Sequence, residues 1–328
     1  MSLYLKYRPD SFDTLVGQRH IVDVLLAQLQ SEKVNHNYLF YGPRGTGKTS
    51  TARLLAKAVN DENFLTDPDL DQAERIDSGK ILDYVEIDAA SHTGVDNIRE
   101  EIIEKALYVP TVLKKKVYVI DEVHMLSKGA FNALLKIMEE PPKHLMFILA
   151  TTEIHKVPDT ILSRCQVFNF RNHTIDDIVG YLKYIAKEEE INVTDDGLAM
   201  IAKLAQWGLR DAIKYLEQVS ILGEVNADTV STFLGVVSHQ TLADIVESMK
   251  SKELEKSINI FEELQSWWAD LLAVAKDLLQ YFDEHFLEDP ALYSSLANTR
   301  TSIISQMRAS GMPLISIKAG VYESAKES

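Results

Sequence analysis

Five short runs of strand-forming residues in the first half of the chain constrain its fold more than any other feature. Each run is apolar on both faces and bounded by turn or charged residues, and helical patterns alternate with the runs. The runs are Tyr38–Tyr41, Tyr84–Ile87, Val117–Ile120, Leu145–Ala150 and Val167–Phe170. Strands that are buried on both faces and separated by helices are typical of a parallel sheet covered by helices. The sequence therefore predicts an α/β domain built on a five-stranded parallel sheet.

The chain after Phe170 has a helical pattern. Thr174–Glu190 begins with a Thr-x-x-Asp capping pattern and continues with an apolar stripe at helical spacing. Further helices are predicted over Asp195–Gln206, Leu209–Leu222 and Asp228–Leu234, and longer ones from Ser238 onward, including "WWADLLAVAKDLLQYF". The predicted domains are residues 1–170 (α/β core), 171–235 (small helical domain) and 236–328 (larger helical domain).

Composition excludes several classes of protein. Apolar residues make up 46% and charged residues 25% of the 328 residues, which is typical of a globular protein with a sizeable core. The chain has no apolar run long enough for a transmembrane helix, and its N-terminus lacks the apolar core of a signal peptide. The single cysteine, Cys165, excludes an internal disulfide and a cysteine-cage zinc site. We therefore expect a cytoplasmic protein with no membrane partner.

The net charge of −15 argues against nucleic acid as a partner, but the acidic residues are unevenly distributed. Residues 1–170 carry 20 basic and 24 acidic side chains, and 7 of those acids lie within Asn60–Gly79. Residues 171–328 carry 14 basic and 25 acidic side chains. A local DNA-binding surface in the first half is therefore compatible with the composition, although the composition alone does not favour it.

A glycine-rich segment connects the first predicted strand to a predicted helix. Its sequence fits Gly-x4-Gly-Lys-[Ser/Thr]. Glycines let backbone N–H groups approach phosphate oxygens, and the helix N-terminus attracts anions. Lys48 can reach the β- and γ-phosphates, and the Thr49 hydroxyl can ligate Mg²⁺. A chance match is the alternative, but the strand-to-helix context is the one that this motif requires. The predicted nucleotide-binding residues here are Gly42, Pro43, Arg44, Gly45, Thr46, Gly47, Lys48, Thr49 and Ser50.

The third predicted strand is followed by two carboxylates, Asp121 and Glu122, within "VYVIDEVHML". The carboxyl edge of a parallel sheet is where α/β proteins bind ligands. Asp121 is predicted to hold Mg²⁺ through water, and Glu122 to orient or deprotonate the attacking water. Without a P-loop, such a pair would be interpreted as an ordinary solvated strand end. The P-loop earlier in the chain favours a catalytic role for the two carboxylates. His124 and Met125 are interpreted as packing residues. The two motifs together predict ATP binding and hydrolysis.

Several longer strings resemble the AAA+ ATPases of the clamp-loader clade, specifically the tau/gamma subunits of bacterial clamp loaders. They are "YLKYRPDSFDTLVGQ", "GPRGTGKTSTARLLAKAVN", "IDAASHTGVDNIREEI", "VYVIDEVHMLSKGAFNALLKIMEEPP", "FILATTEIHKVPDTILSRCQVF" and "GLRDAIKYLEQ". The resemblance covers residues 1 to about 235 in order, with a looser helical likeness to about 320. It implies an AAA+ core, a helical lid over 171–235 and an oligomerisation (collar) domain over 236–328.

The resemblance also implies roles for single residues at the ATP site. Arg164 matches the arginine finger that reaches a neighbouring subunit's ATP; a surface arginine in an ion pair is the alternative. Thr152 matches sensor 1, or simply satisfies backbone groups at a strand end. Arg210 in "GLRDA" matches sensor 2 on the lid, which contacts ATP in its own subunit.

Residues outside the catalytic motifs receive roles in the same way. Tyr7, Arg8 and Pro9 match the N-terminal segment that borders the adenine pocket in this family. The alternative is that they are packing residues without a role in binding. Helix N-termini in this family track DNA phosphates, so the candidates for DNA contact are Arg99, Ser127 and Lys128, with solvated helix residues as the alternative. The helix after Ser127 is predicted over Lys128–Glu140, with Ser127 as its N-cap.

One segment departs from the family pattern. Members usually carry a four-cysteine zinc module between the P-loop helix and the next strand. Here that interval, "NDENFLTDPDLDQAERIDSGKILD", contains neither cysteine nor histidine. Structural zinc sites need such ligands, so we expect no structural zinc. The chain also ends soon after the expected oligomerisation domain, without the long tail of the longer family form.

The resemblance implies a motor subunit of a bacterial clamp loader that uses ATP and Mg²⁺. Its expected partners are delta and delta-prime-type subunits, copies of itself, a sliding clamp and primer–template DNA. Two alternatives stay open. One is a non-hydrolysing, delta-prime-like scaffold, against which the intact P-loop and acidic pair argue. The other is another AAA+ machine, such as a branch-migration helicase or a eukaryotic-type loader small subunit.

Overall fold

The computed structural model describes residues 2–91, 99–234, 239–251 and 253–266, together with Val274, Asp277, Leu278 and Tyr281. Contacts divide the chain into two compact units. The first comprises Met1–Glu189 with Ala202–Glu217, and the second comprises Glu190–Ile201 with Gln218–Ser328. The predicted helix "WWADLLAVAKDLLQYF" lies almost entirely outside the described residues. In the part of the chain that is described, no helix is long and apolar enough to cross a bilayer.

The first unit is built on the predicted five-stranded sheet. Its strands are β1 (Asn37–Tyr41), β2 (Tyr84–Asp88), β3 (Lys116–Asp121), β4 (Leu145–Thr151) and β5 (Gln166–Asn169). The spatial order is β2-β3-β4-β1-β5, and every neighbouring pair is parallel. The prediction of a five-stranded parallel sheet is therefore confirmed, with strand ends that differ by at most one residue.

The helices and turns of the first unit cover both faces of this sheet. The first four helices are α1 (Leu3–Lys6), α2 (Arg19–Gln30), α3 (Lys48–Asn60) and α4 (Leu70–Asp77). A π-helical turn (Arg99–Glu104), two 3₁₀ turns (Val123–Met125 and Ile154–Lys156) and the helices Lys128–Glu139, Asp159–Leu162 and Ile175–Glu188 follow. Ser127 caps Lys128–Glu139 by accepting a hydrogen bond from Ala130 N–H, and Thr174 forms a capping box with Asp177. Both caps confirm the start signals in the sequence.

Alternation along each strand produces two apolar clusters, one on each face of the sheet. Tyr38 and Phe40 of β1 pack on one face with buried residues of α2 and α3. Leu39 and Phe147 pack on the other face with buried residues of the helix Lys128–Glu139. All seven residues of β4 are buried. Burial on both faces explains why β4 contains no polar residue before Thr151 at its carboxyl end.

The acidic segment after α3 is a folded part of the first unit. Phe64, Ile76 and Ile81 are buried in the same apolar cluster as α3. Lys57 Nζ lies 2.7 Å from Asp77 Oδ2, which joins the end of α3 to the end of α4. No group of three or more metal-ligating side chains occurs within the described ranges. The expectation that the chain holds no structural zinc stays a prediction.

The second unit is helical in its described part. Val193 and Val225 form an isolated parallel bridge, and Thr194 N–H donates to the Val225 carbonyl at 3.0 Å. The helices Ala227–Leu234, His239–Lys250 and Leu254–Ser266 follow. Two further helices, Asp195–Leu204 and Leu209–Ser220, have residues in both units and complete the order of elements. Each predicted helix between 195 and 234 is present, and the division of the chain at residues 170 and 235 stays a prediction.

Gly42, directly after β1, has no room for a side chain. Its φ is +148°, and a Cβ there would lie 2.2 Å from the Phe170 carbonyl oxygen. We expect Gly42→Ala to lower the free energy of unfolding by about 1–3 kcal/mol, because the change combines backbone strain with a steric clash. Chemical denaturation measures the difference.

Gly180 provides the matched control for this substitution. It is exposed within the helix Ile175–Glu188, and a Cβ there would meet nothing within 4 Å. Gly180→Ala is expected to raise stability by about 0.5–1 kcal/mol through helix propensity alone. Equal effects of the two substitutions would contradict the close approach at Gly42.

Candidate nucleotide-binding site

The P-loop and the two acidic residues meet at the carboxyl edge of the sheet. β4 lies between β1, which precedes the P-loop, and β3, which ends at Asp121. In the strand register, Tyr41 is opposite Thr151, and Asp88 is opposite Asp121. The P-loop, the end of β4 and the acidic pair are distant in the sequence, and they converge here because the ends of adjacent parallel strands lie side by side.

The loop before α3 has the features of an anion-binding site. α3 begins at Lys48, and its N-cap residue, Gly47, provides no side-chain cap for the first N–H groups. Lys48 Nζ donates to the carbonyl oxygens of Gly42 and Pro43, at 2.8 Å each. Burial lowers the pKa of Lys48, while the charges of Asp121 and Glu122 oppose that shift. An uncapped helix N-terminus beside a buried ammonium group favours a phosphate ligand.

Thr49 and Asp121 supply two adjacent oxygen ligands. Thr49 Oγ1 donates to Asp121 Oδ2 at 2.7 Å, and Asp121 Oδ1 accepts from Glu122 N–H at 2.9 Å. Mg²⁺ binds hard oxygen ligands and is usually held by one or two protein groups, together with waters and substrate phosphates. This hydroxyl–carboxylate pair fits that chemistry.

Glu122 is held by groups from two places, the end of β4 and the 3₁₀ turn Val123–Met125. Thr152 Oγ1 donates to Glu122 Oε2 at 3.1 Å, and His124 Nδ1 lies 3.4 Å from the same oxygen. Glu122 has φ of +46°, a left-handed conformation that is uncommon for a residue with a side chain. Such strained positions are concentrated at functional sites. The backbone and Thr152 together direct this carboxylate toward the P-loop edge.

His124 and Met125 differ from their interpretation as packing residues. His124 is largely buried, but its Nδ1 lies 2.9 Å from Thr151 Oγ1 and its Nε2 lies 3.3 Å from Glu153 Oε1. The imidazole therefore belongs to a polar network beside Glu122. Met125 is 46% exposed and does not belong to the core. No sequence pattern indicates either outcome, because helical and strand periodicity do not extend over this short 3₁₀ turn.

A cavity of about 1250 Å³ opens at this edge of the sheet. Most of the predicted nucleotide-binding residues line it. These are Tyr7, Arg8, Pro9, Arg44, Gly45, Thr46, Gly47, Lys48, Thr49, Ser50, Asp121, Glu122 and Arg210. Lining residues that sequence reasoning did not identify include Tyr4, Arg53, Glu86, His173 and Leu209. These residues belong to no nucleotide-binding motif, so the sequence alone does not indicate that they line the cavity.

Several cations other than Lys48 also line this cavity. Arg53 is paired with Glu86, at 2.8 Å from Nε to Oε2. Burial lowers the pKa of Arg8, as do the nearby charges of Arg53 and, to a smaller degree, Arg210, whereas Glu86 and Asp77 raise it. Leu209 N–H donates to the Gly45 carbonyl at 3.2 Å, which joins the start of the helix Leu209–Ser220 to the P-loop. Arg210 therefore enters the cavity from a helix that is bonded to the loop.

Arg164 lies outside this cavity. Its Nη2 is 3.0 Å from Glu139 Oε1, and its Nη1 donates to the Thr160 carbonyl at 2.7 Å. Asn37 Nδ2 donates to the Arg164 carbonyl at 3.2 Å and to the Met138 carbonyl at 2.9 Å. The guanidinium is thus held in an ion pair at the end of the helix Lys128–Glu139. This geometry agrees with the ion-pair alternative and leaves the finger role open.

Two of the candidates for DNA contact, Ser127 and Lys128, do not line the cavity. Ser127 and Lys128 are exposed at the N-terminus of the helix Lys128–Glu139, where the Ser127 hydroxyl accepts from Ala130 N–H. Arg99 begins the π-helical turn, and its side chain lies outside the described part of the chain.

Comparison with known proteins identifies subunits of DNA polymerase III as relatives of this chain. The family model described as "DNA polymerase III, delta subunit" matches residues 17–174. The tau subunit of DNA polymerase III from Bacillus subtilis is 43% identical over 87% of this chain and 52% of its own length. The Escherichia coli tau subunit is 39% identical over 89% of this chain and 46% of its own length. The chain thus spans about half the length of these relatives.

A solved structure has a fold similar to that of this chain. The RuvB Holliday junction branch migration motor of Thermotoga maritima matches with a TM-score of 0.53 and 20% identity. The match covers 75% of this chain and 79% of that chain. At this identity the likeness concerns the fold alone.

One shorter relative is matched by this chain over most of the relative's length. The gamma subunit of DNA polymerase III from Buchnera aphidicola is 37% identical over 84% of this chain and 78% of its own length. Similarity over this share of both chains goes beyond a shared P-loop. The chain therefore belongs to the family of DNA polymerase III tau and gamma subunits.

Proposed function

We propose that this protein is an ATP-hydrolysing motor subunit of a clamp loader. The observation that carries the proposal is the joint position of Lys48, Thr49, Asp121 and Glu122 at one cavity, in a chain of the tau/gamma family. ATP binding would organise an assembly that opens a sliding clamp and holds primer–template DNA. Hydrolysis would release the clamp closed on DNA. The assembly acts as a switch because ATP favours one arrangement of subunits and cleavage removes that bias.

In this mechanism the P-loop amides and Lys48 bind the phosphates. Thr49 and Asp121 would hold Mg²⁺, which neutralises charge on the β- and γ-phosphates. Glu122 orients the attacking water and accepts its proton, with Thr152 positioning the carboxylate at 3.1 Å. Arg210 contacts the ATP of its own subunit, and Arg164 that of a neighbour. Tyr7, Arg8 and Pro9 border the adenine pocket.

The domain roles follow from this function. Residues 1–170 would form the ATPase core, 171–235 the lid that carries Arg210, and 236–328 the collar through which subunits assemble. The partners would be delta and delta-prime-type subunits and further copies of this chain, in a bacterial cytoplasm. Ser127, Lys128 and Arg99 would contact duplex phosphates through helix N-termini and positive charge. Backbone amides can bind phosphates without a strongly basic surface, which suits the near-neutral core.

The test is ATP turnover per chain as protein concentration rises, with and without primed DNA. We expect turnover per chain to increase with concentration and with primed DNA, because each site is completed by a neighbour. Turnover per chain that changes neither with protein concentration nor with primed DNA would contradict a site shared between subunits. Absence of turnover, even with delta and delta-prime-type subunits present, would favour a scaffold role.

Because the fold resembles that of the RuvB motor, the same experiment should also test the helicase alternative. Four-way or forked DNA replaces primed DNA, and strand exchange or unwinding is recorded alongside ATP turnover. The clamp-loader proposal expects neither branch migration nor unwinding. Either activity would favour the helicase alternative.

A further inference from the structure

Tyr4 contacts both cations of the helix Leu209–Ser220. The Arg210 guanidinium carbon is 4.8 Å from the Tyr4 ring centroid, and Lys214 Nζ is 5.4 Å from it. Arg210 and Lys214 are four residues apart, so they lie on one face of their helix. Cations at these distances are attracted by the negative face of an aromatic ring. Tyr4 also lines the nucleotide cavity, as Arg210 does.

The position of Tyr4 is fixed by contacts on both sides of it. Ser2 Oγ donates to Glu217 Oε2 at 2.5 Å, and Leu3 N–H donates to Glu217 Oε1 at 3.2 Å. Leu3 is buried, and Tyr181 donates through its hydroxyl to the Tyr7 carbonyl at 2.8 Å. Glu217 is seven residues after Arg210, on the same helix face. α1 is thus attached to the face that carries Arg210.

Arg210 contacts the Tyr4 ring through a cation–π interaction, which involves no carboxylate or phosphate oxygen. A guanidinium has five N–H groups, so donors stay available to an anion. In the described part of the chain, no carboxylate forms an ion pair with Arg210. Arg8, in the same cavity, is close enough for Arg210 to disfavour its charge. Neighbouring cations repel each other unless an anion lies between them.

We propose that Tyr4 is a positioning residue that holds Arg210 toward the γ-phosphate of ATP. This inference rests on the proposed function, in which Arg210 contacts ATP of its own subunit. The ring restricts the rotamers of a long side chain before the ligand binds. A donor that is already ordered loses less entropy on binding, so the affinity for ATP rises. ADP lacks the γ-phosphate, so its affinity rises little when Arg210 is ordered. Tyr4 therefore contributes to discrimination between ATP and ADP.

The experiment compares a non-hydrolysable ATP analogue with ADP by isothermal titration calorimetry on the full chain. Tyr4→Leu is expected to weaken binding of the analogue by about 3- to 10-fold, the range of a partly desolvated cation–π contact. ADP affinity should change by less than about twofold. Tyr4→Phe retains the ring and should bind both nucleotides as the unmodified chain does. Tyr215→Leu makes the same change at a half-buried tyrosine of the same helix as Arg210, outside the cavity lining, and should have no effect.

A double-mutant cycle separates positioning from a structural role. In an Arg210→Ala background, Tyr4→Leu should cost less than about 1.5-fold further affinity for the analogue, because its effect acts through Arg210. Additive losses, equal losses for both nucleotides, or a Tyr4→Phe variant as weak as Tyr4→Leu would overturn the inference and leave the proposed function intact. If Arg210→Ala alone binds the analogue normally, the proposed role of Arg210 fails and the role of Tyr4 fails with it. Thermal unfolding of each variant detects any loss of folding.

Discussion

Replacing Glu122 with glutamine is expected to slow ATP turnover by about 10²- to 10⁴-fold, the usual contribution of a general base. Glutamine has nearly the same shape, and its amide oxygen can still accept the hydrogen bond from Thr152 Oγ1, which is 3.1 Å long here. It cannot accept a proton from the attacking water. The phosphate contacts of the P-loop do not involve this side chain, so ATP affinity should stay within about threefold of that of the unmodified chain. Single-turnover kinetics and calorimetric titration measure the two quantities.

Glu74→Gln is the matched control for this prediction. Glu74 is an exposed carboxylate in α4 and does not line the cavity. The same chemical change there should leave turnover and affinity unchanged. A Glu122→Gln variant that binds ATP poorly would indicate that the carboxylate holds the P-loop edge together. A variant that retains full turnover would remove Glu122 from the proposed mechanism.

The fold of the first unit could be predicted from the sequence because its signals are local. β3 and β4 are apolar on both faces, and this pattern has few interpretations besides a buried parallel strand. The P-loop is contiguous, and its neighbours specify its context. The strand boundaries differ from the predicted ones, since Gln166 begins β5 and Phe170 follows its end. Terminal residues are assigned by hydrogen bonding, which the periodicity of side chains does not record.

The contacts that orient the functional side chains could not be predicted in the same way. Tyr4 and Arg210 are far apart in the sequence, and only the packing of α1 on the helix Leu209–Ser220 brings them together. The sequence favours a packing role for His124 because it contains no record of the contact with Thr151. The left-handed conformation of Glu122 likewise has no sequence signal. Motifs indicate which groups perform chemistry, and tertiary contacts determine their geometry.

Replacing Arg164 with alanine is expected to lower ATP turnover of the assembled protein by about 10³-fold or more, as for other arginine fingers. The ion pair with Glu139 does not prevent this role. Nη1 donates to the Thr160 carbonyl and, at 3.5 Å, to Ser163 Oγ, and Nη2 donates to Glu139. A guanidinium has five N–H groups, so the second N–H of Nη2 is available to a neighbour's γ-phosphate. Glu139 would keep the side chain extended and ordered on the subunit surface.

Arg75→Ala, at a half-exposed arginine of α4, is the control for general loss of positive charge. It should leave turnover unchanged. ATP affinity of Arg164→Ala, measured on isolated chains, should also be unchanged, because Arg164 does not line the cavity of its own subunit. If instead Arg164→Ala lowers the thermal stability of the isolated chain and leaves turnover intact, the residue is only a surface ion-pair partner.

Mixing two inactive variants tests directly whether the site is shared between subunits. Lys48→Ala removes the phosphate-binding ammonium but retains Arg164, whereas Arg164→Ala retains the P-loop but lacks the finger. Neither variant alone should turn over ATP at more than about 10⁻³ of the unmodified rate. In a mixture, an Arg164→Ala subunit beside a Lys48→Ala subunit has a complete site, because its neighbour supplies the guanidinium. Turnover should therefore return to a sizeable fraction of the unmodified rate as the ratio approaches one to one. A mixture that stays as slow as its components, in assemblies shown by sedimentation to contain both variants, would mean that Arg164 does not act between subunits.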